Sequence, residues 1–300
     1  MRIGIFGGDT ANRPIDDSVA VAREAHEQGF ISFWLPQIFG AEALTTLAVI
    51  GREIPGIYLG TAVVPTYPRH PMVLAQQALT VQQATGNRFM LGIGLSHQVV
   101  IEGMYGMSFD KPARHMREYL AILMPLLRGE NVSIDGGTLT FRGTISCADT
   151  TPPPVLLAAL APRMLELAGG TADGTITWMT GPATLESYIV PTISAAAEKA
   201  GKRAPAVASS LPICVTDDPD GARTRAANEF QIYGFLPSYR AMLDKEGAAG
   251  PADVAIVGDE QTVAKGVQRL ADVGVTDFAA AEFGNKEERA RTRDLLRSLL

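Results

Sequence analysis

Only two of the 300 residues are cysteines, Cys147 and Cys214, far apart in sequence and without metal-ligand spacing. They are expected to be reduced thiols in a cytoplasmic protein rather than parts of a disulfide framework. Charge is also sparse: Asp, Glu, Lys and Arg make up 19% of the chain against 46% hydrophobic residues. That balance excludes a disordered chain and supplies a large core. The net charge is −6 and there is no dense basic run, so no nucleic-acid surface is expected. No segment approaches the roughly 20 consecutive apolar residues of a membrane helix. The opening Met1–Phe6 is too short an apolar run for a signal peptide. Histidine occurs four times, and no His, Cys, Asp and Glu set has metal spacing. Walker and Gly-x-Ser-x-Gly motifs are missing too, which removes the commonest nucleotide and acyl-transfer readings.

What is present is an alternation of short apolar strands and amphipathic helices, the pattern of a parallel sheet covered by helices. Strands are expected at Ile3–Phe6, Ser32–Leu35, Ile57–Val63, Phe89–Ile93, Val155–Ala159, Thr175–Trp178, Val207–Val215 and Asp277–Ala281. Helices are expected between them, among them Asp16–Gln28, Glu42–Gly51, Pro71–Ala84, Arg114–Arg128, Ala183–Ala200 and Val263–Val273, with Arg289–Leu300 at the end. Residues Val132–Phe141 break the rhythm and read as a hairpin turning at Asp135-Gly136, an insertion after the fourth helix. Eight strand–helix units with no linker predict a single (β/α)8 TIM barrel over residues 1–300, a fold of typically about 250 residues. The competing open doubly wound sheet would carry Gly-x-Gly-x-x-G after its first strand, and Gly7-Gly8-Asp9 does not supply it.

In such a barrel, chemistry sits where strands open into loops at their C-terminal ends. Three ends are rich in glycine, proline and polar groups. Leu59–Pro71 carries Arg69 and His70 and runs into a helix whose first turn suits Pro71. Met90–His97 ends in Gly92-Ile-Gly94, Leu95, Ser96 and His97. Ala158–Arg163 sets small residues before Pro162, so that a helix N-terminus exposes N–H groups where the dipole favours an anion. Each also has a plainer reading, as a barrel strand, a loop hydrogen bond or an ordinary helix start. Trp178 ends the sixth strand, where a pocket wall and a core residue are both open readings. His115 and Arg117 read as helix-surface or packing residues.

These strand ends, in this order, resemble the luciferase-like monooxygenase superfamily, and more closely its branch that uses the deazaflavin coenzyme F420. The resemblance spans Met1 to about Phe283. It implies hydride transfer between F420 and a small organic substrate. It implies a non-prolyl cis peptide at Ala62–Val63 behind the cofactor ring, with Gln37, Gly94, Ser96 and Trp178 around that ring. It places the cofactor phosphate on Ala159, Leu160, Ala161, Pro162 and Arg163, and His70 near the substrate. His97 stands where some relatives have an acidic proton donor, and an imidazole suits acid–base work at neutral pH. The chain departs from many relatives after the second strand, with Pro36-Gln37-Ile38 in place of an acid–histidine pair. Two alternatives remain open: an FMN-dependent monooxygenase on the same fold, and a flavin- or deazaflavin-binding protein without catalysis. The resemblance further implies a homodimer through the second and third helices. The third helix, with Val73, Leu74, Ala75, Ala78, Leu79 and Val81, is more apolar than one buried face requires.

Overall fold

The computed structural model describes residues 1–300. Strands and helices follow in chain order as β1 (Arg2–Phe6), α1 (Ile15–Glu27), β2 (Ser32–Leu35), α2 (Ala43–Glu53), β3 (Tyr58–Thr61), β4 (Val64–Pro65) and α3 (Pro71–Ala84). Next come β5 (Phe89–Gly94), α4 (Gln98–Gly103), α5 (Pro112–Leu127), the hairpin β6 (Val132–Asp135) and β7 (Thr140–Gly143), β8 (Val155–Leu157) and α6 (Pro162–Gly170). The last third holds β9 (Gly174–Trp178), α7 (Pro182–Thr184), α8 (Val190–Lys199), β10 (Ala206–Val215), α9 (Pro219–Glu229) and α10 (Pro237–Glu246). The chain ends with β11 (Ile256–Gly258), α11 (Glu260–Asp272), β12 (Asp277–Glu282) and α12 (Lys286–Ser298).

Eight parallel strands close into a ring in the order β1-β2-β3-β5-β8-β9-β10-β12 and back to β1. This is the (β/α)8 barrel read from the sequence. The extra strand β11 prolongs the sheet beside the end of β10. Strand residues alternate between two environments, as the two-residue period demands. Ile3, Ile5, Phe33, Leu59, Leu91 and Leu157 point outward into a core of 60 residues shared with the helices. Trp34, Met90, Leu156, Ile176, Ala208 and Ala279 fill the inside.

The interior works by pairing large with small. A Cβ on Gly60 would lie 2.3 Å from the Trp34 ring, so the indole occupies the space that the glycine leaves. Trp34 Nε1 donates to Ser32 Oγ at 2.9 Å, which satisfies its only polar atom. With the barrel filled, binding is expected at the strand-end loops of the C-terminal rim.

The hairpin lies after α5, as read, but its turn falls later than Asp135-Gly136. Asp135 pairs with Thr140, and Gly136 N–H donates to the Leu139 carbonyl, so Gly137 and Thr138 make the turn. The cause is tertiary. The Glu118 carboxylate on α5 accepts from the backbone N–H groups of Gly137, Thr138 and Leu139 and from the Thr138 hydroxyl. On α3 the apolar surplus is absorbed within the chain: Leu74, Ala75, Ala78, Leu79 and Val81 are buried, and Val73 is exposed. The composition of that helix is thus accounted for without a partner. No helix is long and apolar enough to cross a membrane.

Candidate active site

The rim is shaped first by an irregularity between β3 and β5. Gly60 pairs with Met90 and Val64 with Ile93, so the β3–β4 side takes four steps where β5 takes three. The extra residue makes a bulge, a device that re-aims the chain beside active sites. Ala62–Val63 lies in it and is a cis peptide. Thr61 bridges the gap in the ladder: its hydroxyl donates to the Gly92 carbonyl and accepts from the Gly92 N–H, both at 2.8 Å. The bulge also explains the glycines of β5. A Cβ on Gly92 would stand 1.9 Å from the Thr61 carbonyl oxygen, and one on Gly94 2.8 Å from Val63. Ala62 and Val63 are half-buried at the top of the inner cluster. Behind them, Gln37 N–H donates to the Val63 carbonyl at 3.3 Å. The Gln37 side-chain oxygen accepts from Ala43 N–H at 2.8 Å, which caps α2.

Two other strand ends turn sharply. Ser96 after β5 and Met179 after β9 have φ of 62° and 53°, uncommon for residues with a Cβ. Between them a wall of rings crosses the mouth. Phe6 stacks on Trp178 with centroids 5.5 Å apart. Phe230 and Tyr233 meet Trp178 edge-on at 5.9 and 5.7 Å. Tyr233 meets Tyr239 edge-on at 5.1 Å, and Tyr239 lies 5.7 Å from His97. Thus His97 and Trp178, from β5 and β9, are brought onto one wall. His97 is half-buried, and burial holds its pKa below the ordinary 6.5, so the ring is neutral at pH 7. The indole N–H of Trp178 is buried without a well-formed hydrogen bond, with the Tyr233 phenol beside it.

At α6, Ala161 is the N-cap with no side-chain cap, and Pro162 takes the first helical position. Ala159 is buried, Leu160 half-buried, and Ala161, Pro162 and Arg163 are exposed. A second cation, Lys245, which no sequence motif marks, stands near this turn. Tyr188 donates to the Leu160 carbonyl at 3.0 Å, and the Lys245 ammonium sits 4.5 Å above the Tyr188 ring. The α6 start has no side-chain cap, with Arg163 in its first turn and Lys245 reaching Tyr188 beside it.

His70 is placed differently. It is exposed, it N-caps α3 by accepting from Met72 N–H at 3.2 Å, and it tilts against Phe141 of the hairpin at 5.9 Å. Its contacts are with these elements, not with the wall that holds His97. The neighbouring Arg69 pairs with Glu42 at 2.9 Å and ties the start of α3 to that of α2. His115, read from the sequence as a helix-surface or packing residue, is a packing residue, 7% exposed. It stacks on Tyr67 at 4.1 Å and 8°, with Nε2 3.2 Å from Thr66 Oγ1. The signal was only its position early in a helix that must pack on the loop after β4.

The profile of the luciferase-like monooxygenase family matches residues 1–277. The chain belongs to that family. Its sequence is 29% identical over 246 residues to a 5,10-methylenetetrahydromethanopterin reductase of Methanolobus tindarius, covering 82% of this chain and 74% of that one. It is 27% identical over 271 residues to a Mycobacterium tuberculosis protein provisionally named a coenzyme F420-dependent oxidoreductase, covering 85% and 76%. The fold matches the coenzyme F420-dependent tetrahydromethanopterin reductase of Methanopyrus kandleri with a TM-score of 0.82 at 20% identity, over 99% and 97% of the two chains. It also matches the FMN-bound oxygenating constituent of 3,6-diketocamphane monooxygenase of Pseudomonas putida, with a TM-score of 0.75 at 17% identity over 99% and 96%. By name, these two sequence relatives are a reductase and a provisional F420-dependent oxidoreductase, whereas the shared fold serves both F420 and FMN proteins.

Proposed function

We propose that this protein is a coenzyme F420-dependent oxidoreductase acting on a small organic substrate. The observation that carries the reading is the bulge between β3 and β5, on the same rim as the ring wall of Trp178 and the neutral His97. The name of the Mycobacterium tuberculosis relative supports F420 over FMN.

The residues present fit a tricyclic ring with a phosphate-bearing tail. Ala62, Val63, Gly94 and Ser96 would back the ring, with Trp178 at its edge. Gln37 would serve this site from behind, since its backbone holds Val63 while its side-chain oxygen caps α2. The turn Ala159–Arg163 would take the phosphate, with Lys245 as a second cation. When bound, the deazaflavin supplies the hydride chemistry.

The chain's own part is to bind, orient and manage a proton. Reduction of a carbonyl needs a proton on the oxygen, and oxidation of an alcohol releases one. His97 is the group placed to receive it when an alcohol is oxidised, being neutral at pH 7, half-buried and with no charged neighbour shifting it; in the reducing direction the imidazolium, formed by taking a proton from water, would deliver it.

The test is His97→Ala. It should bind oxidised F420 as the natural chain does and turn over about 100-fold more slowly or worse, the usual scale of a lost acid–base group. Unchanged turnover would remove His97 from the mechanism.

A further inference from the structure

One contact at the mouth joins distant parts of the barrel. His97 follows β5, whereas Tyr239 lies on α10 in the connection after β10, three strands farther round the ring. Their rings meet at 5.7 Å and 51°. The His97 side chain makes no cap to the helix that it precedes, and no other hydrogen bond fixes the imidazole. Both its nitrogens are therefore left for a ligand, and its orientation comes from packing. Tyr239 is itself held, edge-on, by Tyr233, which meets Trp178 edge-on in turn. The segment from Phe230 to Tyr239 thus grips the indole at one end and the imidazole at the other.

We infer that Tyr239 is the positioning residue of the site: its ring, not its hydroxyl, fixes the His97 imidazole against the reacting centre and couples it to Trp178. This rests on the reading of His97 as the proton-handling group. The contact is ring against ring, and the aromatic chain behind it gives Tyr239 a firm seat. Small displacements of a catalytic group cost much in rate, so a side chain with no hydrogen bond needs such a support. The titratable groups that face His97 from the packed segment are Tyr239 and, behind it, Tyr233, and burial keeps both phenols protonated at neutral pH.

The experiment compares Tyr239→Phe, which keeps the ring, with Tyr239→Leu, which removes it; Tyr239→Met replaces the latter if that variant does not fold. The His97 imidazole is titrated by NMR in the cofactor-free protein, and kcat, KM and F420 affinity are measured in the loaded enzyme. Loss of the ring should let water reach the imidazole and move its titration up toward the ordinary 6.5. It should lower kcat about ten-fold, with KM and cofactor affinity held. The Phe variant should match the natural chain in every readout. An unmoved His97 titration in the Leu variant overturns the inference, and so does a Phe variant as impaired as the Leu variant. If the natural chain shows no F420 turnover at all, the functional reading fails, while the imidazole titration still decides the role of Tyr239.

Discussion

His115 shows how one buried side chain sets an acid limit on the fold. Burial against Tyr67 and Thr66 pushes its pKa down to about 4. The folded-state value lies below the unfolded one, so as pH falls the unfolded chain binds the proton first. The stability that follows is full above about 6.5 and is lost as pH drops toward 4. His115→Phe, which keeps the stack on Tyr67, should flatten the stability-versus-pH curve in that window; urea unfolding at a series of pH values reads it, and an unaltered slope contradicts the assignment. His97 is also displaced downward by burial, but it stands at the mouth with both nitrogens open. The two histidines therefore differ in what they face rather than in what they are. The sequence separates them only by place: His97 follows a strand end, and His115, early in a helix, reads as a surface or packing residue with no sign of which.

At the scale of elements, the bulge between β3 and β5 depends on a side chain standing in for backbone. Thr61 is fully buried, and its hydroxyl serves both the N–H and the carbonyl of Gly92. Thr61→Val keeps the shape and leaves those two groups unpaired, at a cost of about 1–3 kcal/mol. Denaturant unfolding measures this, and a loss below about 0.5 kcal/mol would mean that the bulge is held otherwise. The eight barrel strands were legible because each is a short apolar run that alternates with a helix. Ala62–Val63 was legible only through family resemblance, since nothing in Thr-Ala-Val specifies a bulge. Three elements were not legible. Strand β11 is three residues long and exists by pairing with β10. Helix α4 is six residues within a loop. The hairpin turn is displaced by Glu118, a residue far from it in sequence. Helix α4 is too short to show a helical period, and β11 and the hairpin turn are set by tertiary contacts that no local pattern encodes. The same holds for His70, whose ring is taken up by the start of α3.

For the whole molecule, the barrel's division of space locates function. The interior is filled by side chains, and the helices are bound to the outer strand face by the large core, so binding falls to the C-terminal rim. There the bulge, the aromatic wall and the α6 turn face a common mouth from β3, β9 and β8, and the Phe230–Tyr239 segment crosses it from β10. The central claim is that this mouth takes a deazaflavin. Parallel titrations of the protein with oxidised coenzyme F420 and with FMN, followed by fluorescence, test it most directly. The account predicts saturable binding of F420 in the micromolar range, about −8 kcal/mol, with FMN bound far more weakly. Selective FMN binding would contradict it and move the protein to the flavin-dependent monooxygenases of its family, and binding of neither would leave the barrel without the proposed cofactor.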